Sequence, residues 1–149
     1  MGFARSLTQL AAAAVLLGGC SGTQSTAQLG AAPSPLQMYP LPADAADKIL
    51  ATAMSVELVG SPISRVDLPN RGYRATLRSS DDWYHIQAYM IPAIGRDSAG
   101  ATIDGYVFEV GHSGTMPLSE RSRAGRILAR IVAKAEARAP SLPFVAFKR

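Results

Sequence analysis

The chain of 149 residues holds one cysteine, Cys20. With no second thiol there can be no intramolecular disulfide, so a folded domain must take its stability from its core alone. Histidine is almost as scarce: His85 and His112 are the only two. A zinc or copper site needs further ligands, and Asp81 and Asp82 are the sole nearby offer, so no metal is expected. No phosphate loop and no dinucleotide fingerprint occurs, and no cofactor is expected. Apolar runs of spanning length are missing too. The most apolar stretch, Leu7–Leu17, is about eleven residues, against the roughly twenty of a transmembrane helix. Charged residues make up 17% of the chain, below the usual value of about 25%. The hydrophobic share of 48% is ordinary for a globular protein and excludes disorder of the whole chain.

What is present begins at the N-terminus. Arg5 precedes the apolar stretch, and the small residues Gly18 and Gly19 lead into Cys20. That order is a secretory signal. Leu17-Gly18-Gly19-Cys20 resembles the lipobox of bacterial lipoproteins. The resemblance covers residues 1–20 and implies three things. A diacylglyceryl group is attached to the Cys20 sulfur, the chain is cut before Cys20, and the new amino group is acylated. One acyl chain binds a membrane only marginally, whereas two or three hold a protein firmly. The resemblance also implies a place in the cell envelope, facing the periplasm. Ser21, standing where an Asp favours inner-membrane retention, points to the outer membrane. Ser25-Thr26-Ala27 leaves an alternative open: ordinary secretion with cleavage after Ala27, which discards Cys20. Nucleic acid is not an expected partner in that compartment, and a lipidated Cys20 is no nucleophile.

Three segments follow: a signal peptide at 1–19, a tether at 20–42 and a single domain at 43–149. The tether is rich in Ser, Thr, Gln, Ala and Gly and carries Pro33, Pro35, Pro40 and Pro42, a composition that buries little. Asp44 to Val59 is predicted as a helix, capped by Asp44, with Ala46, Ile49, Leu50, Ala53, Met54 and Val56 at helical spacing. Tyr73–Arg78, 82–94 and 102–112 alternate as strands. Ser79-Ser80-Asp81 and 96–100 supply the turns. Ser119 to Ala139 is predicted as a second helix, capped by Ser119 and stopped by Pro140, with Ala124, Ile127, Leu128, Ile131, Val132 and Ala135 on one arc. Phe144–Phe147 offers a last strand. The expected fold is α+β in two layers. An antiparallel meander of three strands, or four with the tail, packs against two helices in the order α-β-β-β-α(-β).

Two surfaces are candidates for function. From Ser119 to Arg149 there are eight basic residues against two acidic ones, while Cys20 to Leu118 has six against nine. Within the basic end, Arg123, Arg126, Arg130, Lys134 and Arg138 are spaced three or four apart and share one side of a helix. They suit an anionic surface such as lipid phosphates, or a solvated helix face. The other surface is the uncovered side of the sheet. If Tyr84, Ile86, Ala88 and Met90 face the helices with Phe108 and Val110, then Arg74, Arg78, Trp83, His85, Gln87, Tyr89 and Glu109 face away. Aromatics among charged neighbours suit a partner surface. A four-residue loop at 97–100 would set His85 opposite His112; a five-residue loop at 96–100, favoured because it buries a more apolar layer, would set Ile86 opposite Val110 and Ala88 opposite Phe108 and keep the two histidines apart. Gly111-His112-Ser113-Gly114 lacks the spacing of a nucleophile elbow. The expected role is therefore non-enzymatic: an accessory or structural subunit of an envelope complex, with a protein partner. The rivals are a binding module for a small or anionic envelope ligand and, third, a small hydrolase.

Overall fold

Alternation of apolar and polar residues through 71–114 builds three long strands, and the amphipathic segments on either side fold back as helices over their apolar face. The structure, a computed structural model, describes residues 22–25 and 36–149. The expected signal region, Cys20 and most of the expected tether lie outside the described residues. The elements are β1 (Gly22–Ser25), β2 (Gln37–Met38), α1 (Ala43–Glu57), β3 (Ile63–Val66), β4 (Arg71–Ser79), β5 (Asp82–Arg96), β6 (Thr102–Gly114), α2 (Leu118–Glu136) and β7 (Leu142–Phe147). The class is α+β. The sheet is larger than the three or four strands expected: its antiparallel path runs β1-β6-β5-β4-β3, with β7 also paired to β5 and β2 to β7. β1, β2 and β3 are too short to show alternation, and that is why the sequence hid them.

Both helices cover one face of the sheet. Ala46, Ile49, Leu50, Ala53 and Met54 of α1 are buried with Ala124, Ile127, Leu128, Ile131 and Ala135 of α2. They pack on Ala75, Tyr84, Ile86, Ala88, Met90, Phe108 and Val110. Val56, placed on the α1 arc by spacing, is 47% exposed, while Leu58, just past the helix end, is buried. The expected caps are corrected. Pro42 and Pro117 hold the N-cap positions in extended conformation, and neither gives a side-chain cap. Asp44 and Glu120 instead lie within the first turns, where negative charge meets the helix dipole.

The strand pairing corrects the expected register and keeps its faces. Ile86 lies opposite His112, Ala88 opposite Val110 and Met90 opposite Phe108. Arg96 pairs with Thr102, so the five-residue loop is 97–101, one position later than expected. Asp97 sets it: its carboxylate accepts from the N–H of Ala99 at 2.9 Å and of Ala101 at 2.8 Å. Gly100 adopts φ +85°, which favours glycine. The pairing shifts by two residues, an even number, so each side chain keeps its face.

The segment 36–42, read as tether, belongs to the core. Met38 and Tyr39 are fully buried and Leu41 nearly so. Tyr39 lies against Phe108, ring centroids 5.8 Å apart, and exchanges two backbone hydrogen bonds of 2.9 Å with Tyr106. β7 pairs with β5 at 93–95, beyond the end of β4. β5, β6, the β2–Tyr39 segment and β7 therefore close a ring at one end of the sheet. Met38, Ala93 and Val107 fill it, with Leu36, Leu142 and Phe144 around them. A Cβ on Gly105 would overlap the Tyr39 carbonyl and the Met38 sulfur, so the close approach requires glycine there.

Candidate functional site

The face of β4, β5 and β6 turned away from the helices carries the residues expected on it, in cross-strand rows. Arg78 pairs with Trp83, Thr76 with His85 and Arg74 with Gln87. His85 pairs with Ser113 and Tyr89 with Glu109. The structure thus brings Arg74, Arg78, Trp83, His85, Tyr89 and Glu109 together on one surface. At one end of it Trp83 is 57% exposed, with the Arg78 guanidinium over its ring at 5.8 Å. Such a pair holds a large apolar surface in a fixed pose beside a charge. Arg78 also donates to the Ser80 carbonyl at 3.2 Å. Burial raises the Glu109 carboxyl above its ordinary value. The other end of the surface is closed by the ring packed on Met38. A concavity between the sheet and the tail near Phe144, which a ligand module would use, is filled there by that side chain.

The histidines are separated. Adjacent pairings place His85 on the outer face and Ile86, opposite His112, on the helix face. His85 shares a 3.0 Å hydrogen bond with the hydroxyl of Thr76, its cross-strand neighbour. Among the described residues, no three of His, Cys, Asp or Glu gather as metal ligands.

On the helix layer the basic stripe divides. Arg126 and Arg130 both donate to the Glu57 carboxylate of α1, Arg126 at 3.0 Å. These two hydrogen bonds, Arg130's first, hold the Glu57 carboxyl below the usual carboxylate range against the opposing effect of burial. Arg123 pairs with Glu120 at 3.0 Å, and Glu120 accepts from the Tyr84 hydroxyl at 3.3 Å. Lys134 and Arg138 make no such pair among the described residues. They line a cleft of about 400 Å³ with Lys48, Ile49, Thr52 and Ala137. Glu57, at the end of α1, meets the middle of α2, while Lys48, nearer the start of α1, shares the cleft with Lys134 at the end of α2, so the two helices are antiparallel. Arg138 lies just past the end of α2, its N–H bonded to the Ala135 carbonyl at 2.9 Å.

Glu57 and Lys48 escaped the reading of the sequence. Glu57 meets its arginines across 69 and 73 residues, and no local pattern signals a contact of that separation. Lys48 lies on the other helix from the stripe. No protein-family model, no curated protein and no solved structure matches the chain.

Proposed function

We propose that this chain is a lipid-anchored protein of the bacterial cell envelope, held through Cys20 on the periplasmic side of the outer membrane. Its domain works non-enzymatically, as an accessory subunit that docks its outer sheet face on an acidic surface of a partner protein. The observation that carries the docking is the Arg78–Trp83 pair, exposed beside Arg74 on the sheet face opposite α1 and α2. Tryptophan, tyrosine and arginine dominate the energetics of protein interfaces. Two arginines against the single carboxylate of Glu109 give this group of residues a positive balance, which an acidic surface complements. The second reading, a binding module for an anionic envelope ligand, is favoured by the cation-lined cleft between the helices.

A photocrosslinking residue at Thr76, in the full chain within the intact envelope, tests the docking. It should capture one discrete partner, and the same residue at Thr52 on the helix layer should not. Trp83→Ala should weaken that capture by about 2 kcal/mol of binding, the scale of an interface anchor, and Arg78→Glu should weaken it further. Equal capture from both layers, or capture indifferent to both substitutions, would sink the proposal.

A further inference from the structure

The cleft between α1 and α2 has a chemistry that the antiparallel helix pairing creates. Lys48 comes from α1, Lys134 from α2, and Arg138 from the residues just after α2. The chain has three lysines, and two of them are here. The remaining lining consists of Ile49, Thr52 and Ala137, so no carboxylate lines the cleft. Elsewhere on this layer the basic residues are ion-paired: Arg126 and Arg130 share Glu57, and Arg123 meets Glu120. Lys48, Lys134 and Arg138 form no ion pair among the described residues. Two carbonyls at the end of α2 already have partners: Ala133 accepts from the Ala137 N–H, and Ala135 from those of Arg138 and Ala139. Three like charges around one cavity repel one another. An anion placed among them removes that cost and gains charge-assisted hydrogen bonds. The N-terminal half of α1 and the C-terminal end of α2 lie side by side, so their opposed dipoles offset each other and the formal charges decide the sign.

We infer that this cleft binds a phosphate group. Lys48, Lys134 and Arg138 hold its oxygens, and Ile49 and Ala137 give an apolar floor for whatever carries it. The volume of about 400 Å³ admits a phosphate with a small substituent. The group can belong to an anionic lipid headgroup or to free phosphate. The lipid source alone rests on the anchored reading, since only an anchored domain meets headgroups at high local concentration.

Competitive acylation of the lysines of the full chain, read by mass spectrometry, tests the inference. Lys148, paired with Asp104 and not part of the cleft lining, is the internal reference. The probes are inorganic phosphate, phosphatidylglycerol vesicles and phosphatidylcholine vesicles, with sodium chloride matched in ionic strength. Lys48 and Lys134 should lose reactivity severalfold relative to Lys148, and Arg138→Gln should restore it with the circular dichroism spectrum unchanged. Protection by inorganic phosphate supports a free-phosphate source; protection by phosphatidylglycerol alone supports a headgroup. Protection by neither overturns the inference. So does protection that Lys148 shares, or that survives Arg138→Gln, since either marks diffuse charge or mere proximity to a surface. Repeating the phosphate arm with Cys20→Ala separates the two proposals: the cleft should still respond when the anchor is gone.

Discussion

Glu57 shows what a single side chain does in this fold. Its side chain is 9% exposed while Arg126 and Arg130 are about half exposed, so one shielded carboxylate joins two helices through two screened cations. Glu57→Gln should cost about 1 kcal/mol at neutral pH, the scale of solvent-screened pairs. The pH dependence follows from the depressed carboxyl. The unfolded chain takes up this proton near pH 4.3, and the folded protein only at lower pH. The contribution is therefore complete above the unfolded value and is lost as pH falls through the folded one. Thermal melts between pH 7 and pH 3 should show a steeper acid loss for the native chain than for Glu57→Gln; parallel curves would dissociate Glu57 from acid stability. Tyr73 and Tyr84 play a related part from the sheet. Tyr73 donates to Asp47 at 2.9 Å and Tyr84 to Glu120, tying one strand to each helix. Burial, then the neighbouring carboxylate, raises both phenols. At this scale the faces of β4, β5 and β6 were legible, because alternation reports orientation directly. The partners of Glu57, and of Lys48 in the cleft, were not, because a contact between distant residues leaves no period in the chain.

Among the elements, the two helices and three long strands were legible from their repeats of 3.6 and 2 residues. The loop between β5 and β6 was legible in kind but displaced by one residue, since only the hydrogen bonds of the Asp97 carboxylate decide where it closes. β2 was read wrongly. Its proline-rich surroundings have the composition of a tether, yet Pro42 in extended conformation simply ends the strand segment and starts α1. Met38 is the plug of the ring that this element helps to close. Met38→Ala should destabilise the domain by roughly 2–4 kcal/mol, in the range of large-to-small core substitutions. The urea midpoint should fall accordingly; an unchanged midpoint would return residues 36–42 to the role of a tether.

For the whole molecule, the two layers give the domain two different surfaces. An aromatic and arginine face lies on the sheet, and a cation-lined cleft lies between the helices. The proposed anchoring through Cys20 would decide how either is presented. Cys20→Ala should move the protein from the membrane fraction to the soluble one and abolish labelling by a fatty-acid analogue. Continued sedimentation with membranes after that labelling is lost would remove the lipid as the anchor. By itself the sequence determined the α+β class, the helix arcs, the faces of the long strands and the expectation of a lipidated Cys20, all of which rest on short-range pattern. Only the tertiary structure decided the closed ring around Met38, the pairing of Arg126 and Arg130 with Glu57, and the gathering of Lys48 with Lys134 and Arg138. Those depend on which distant segments share space, and burial and charge pairing settle that once the helices lie antiparallel on the sheet.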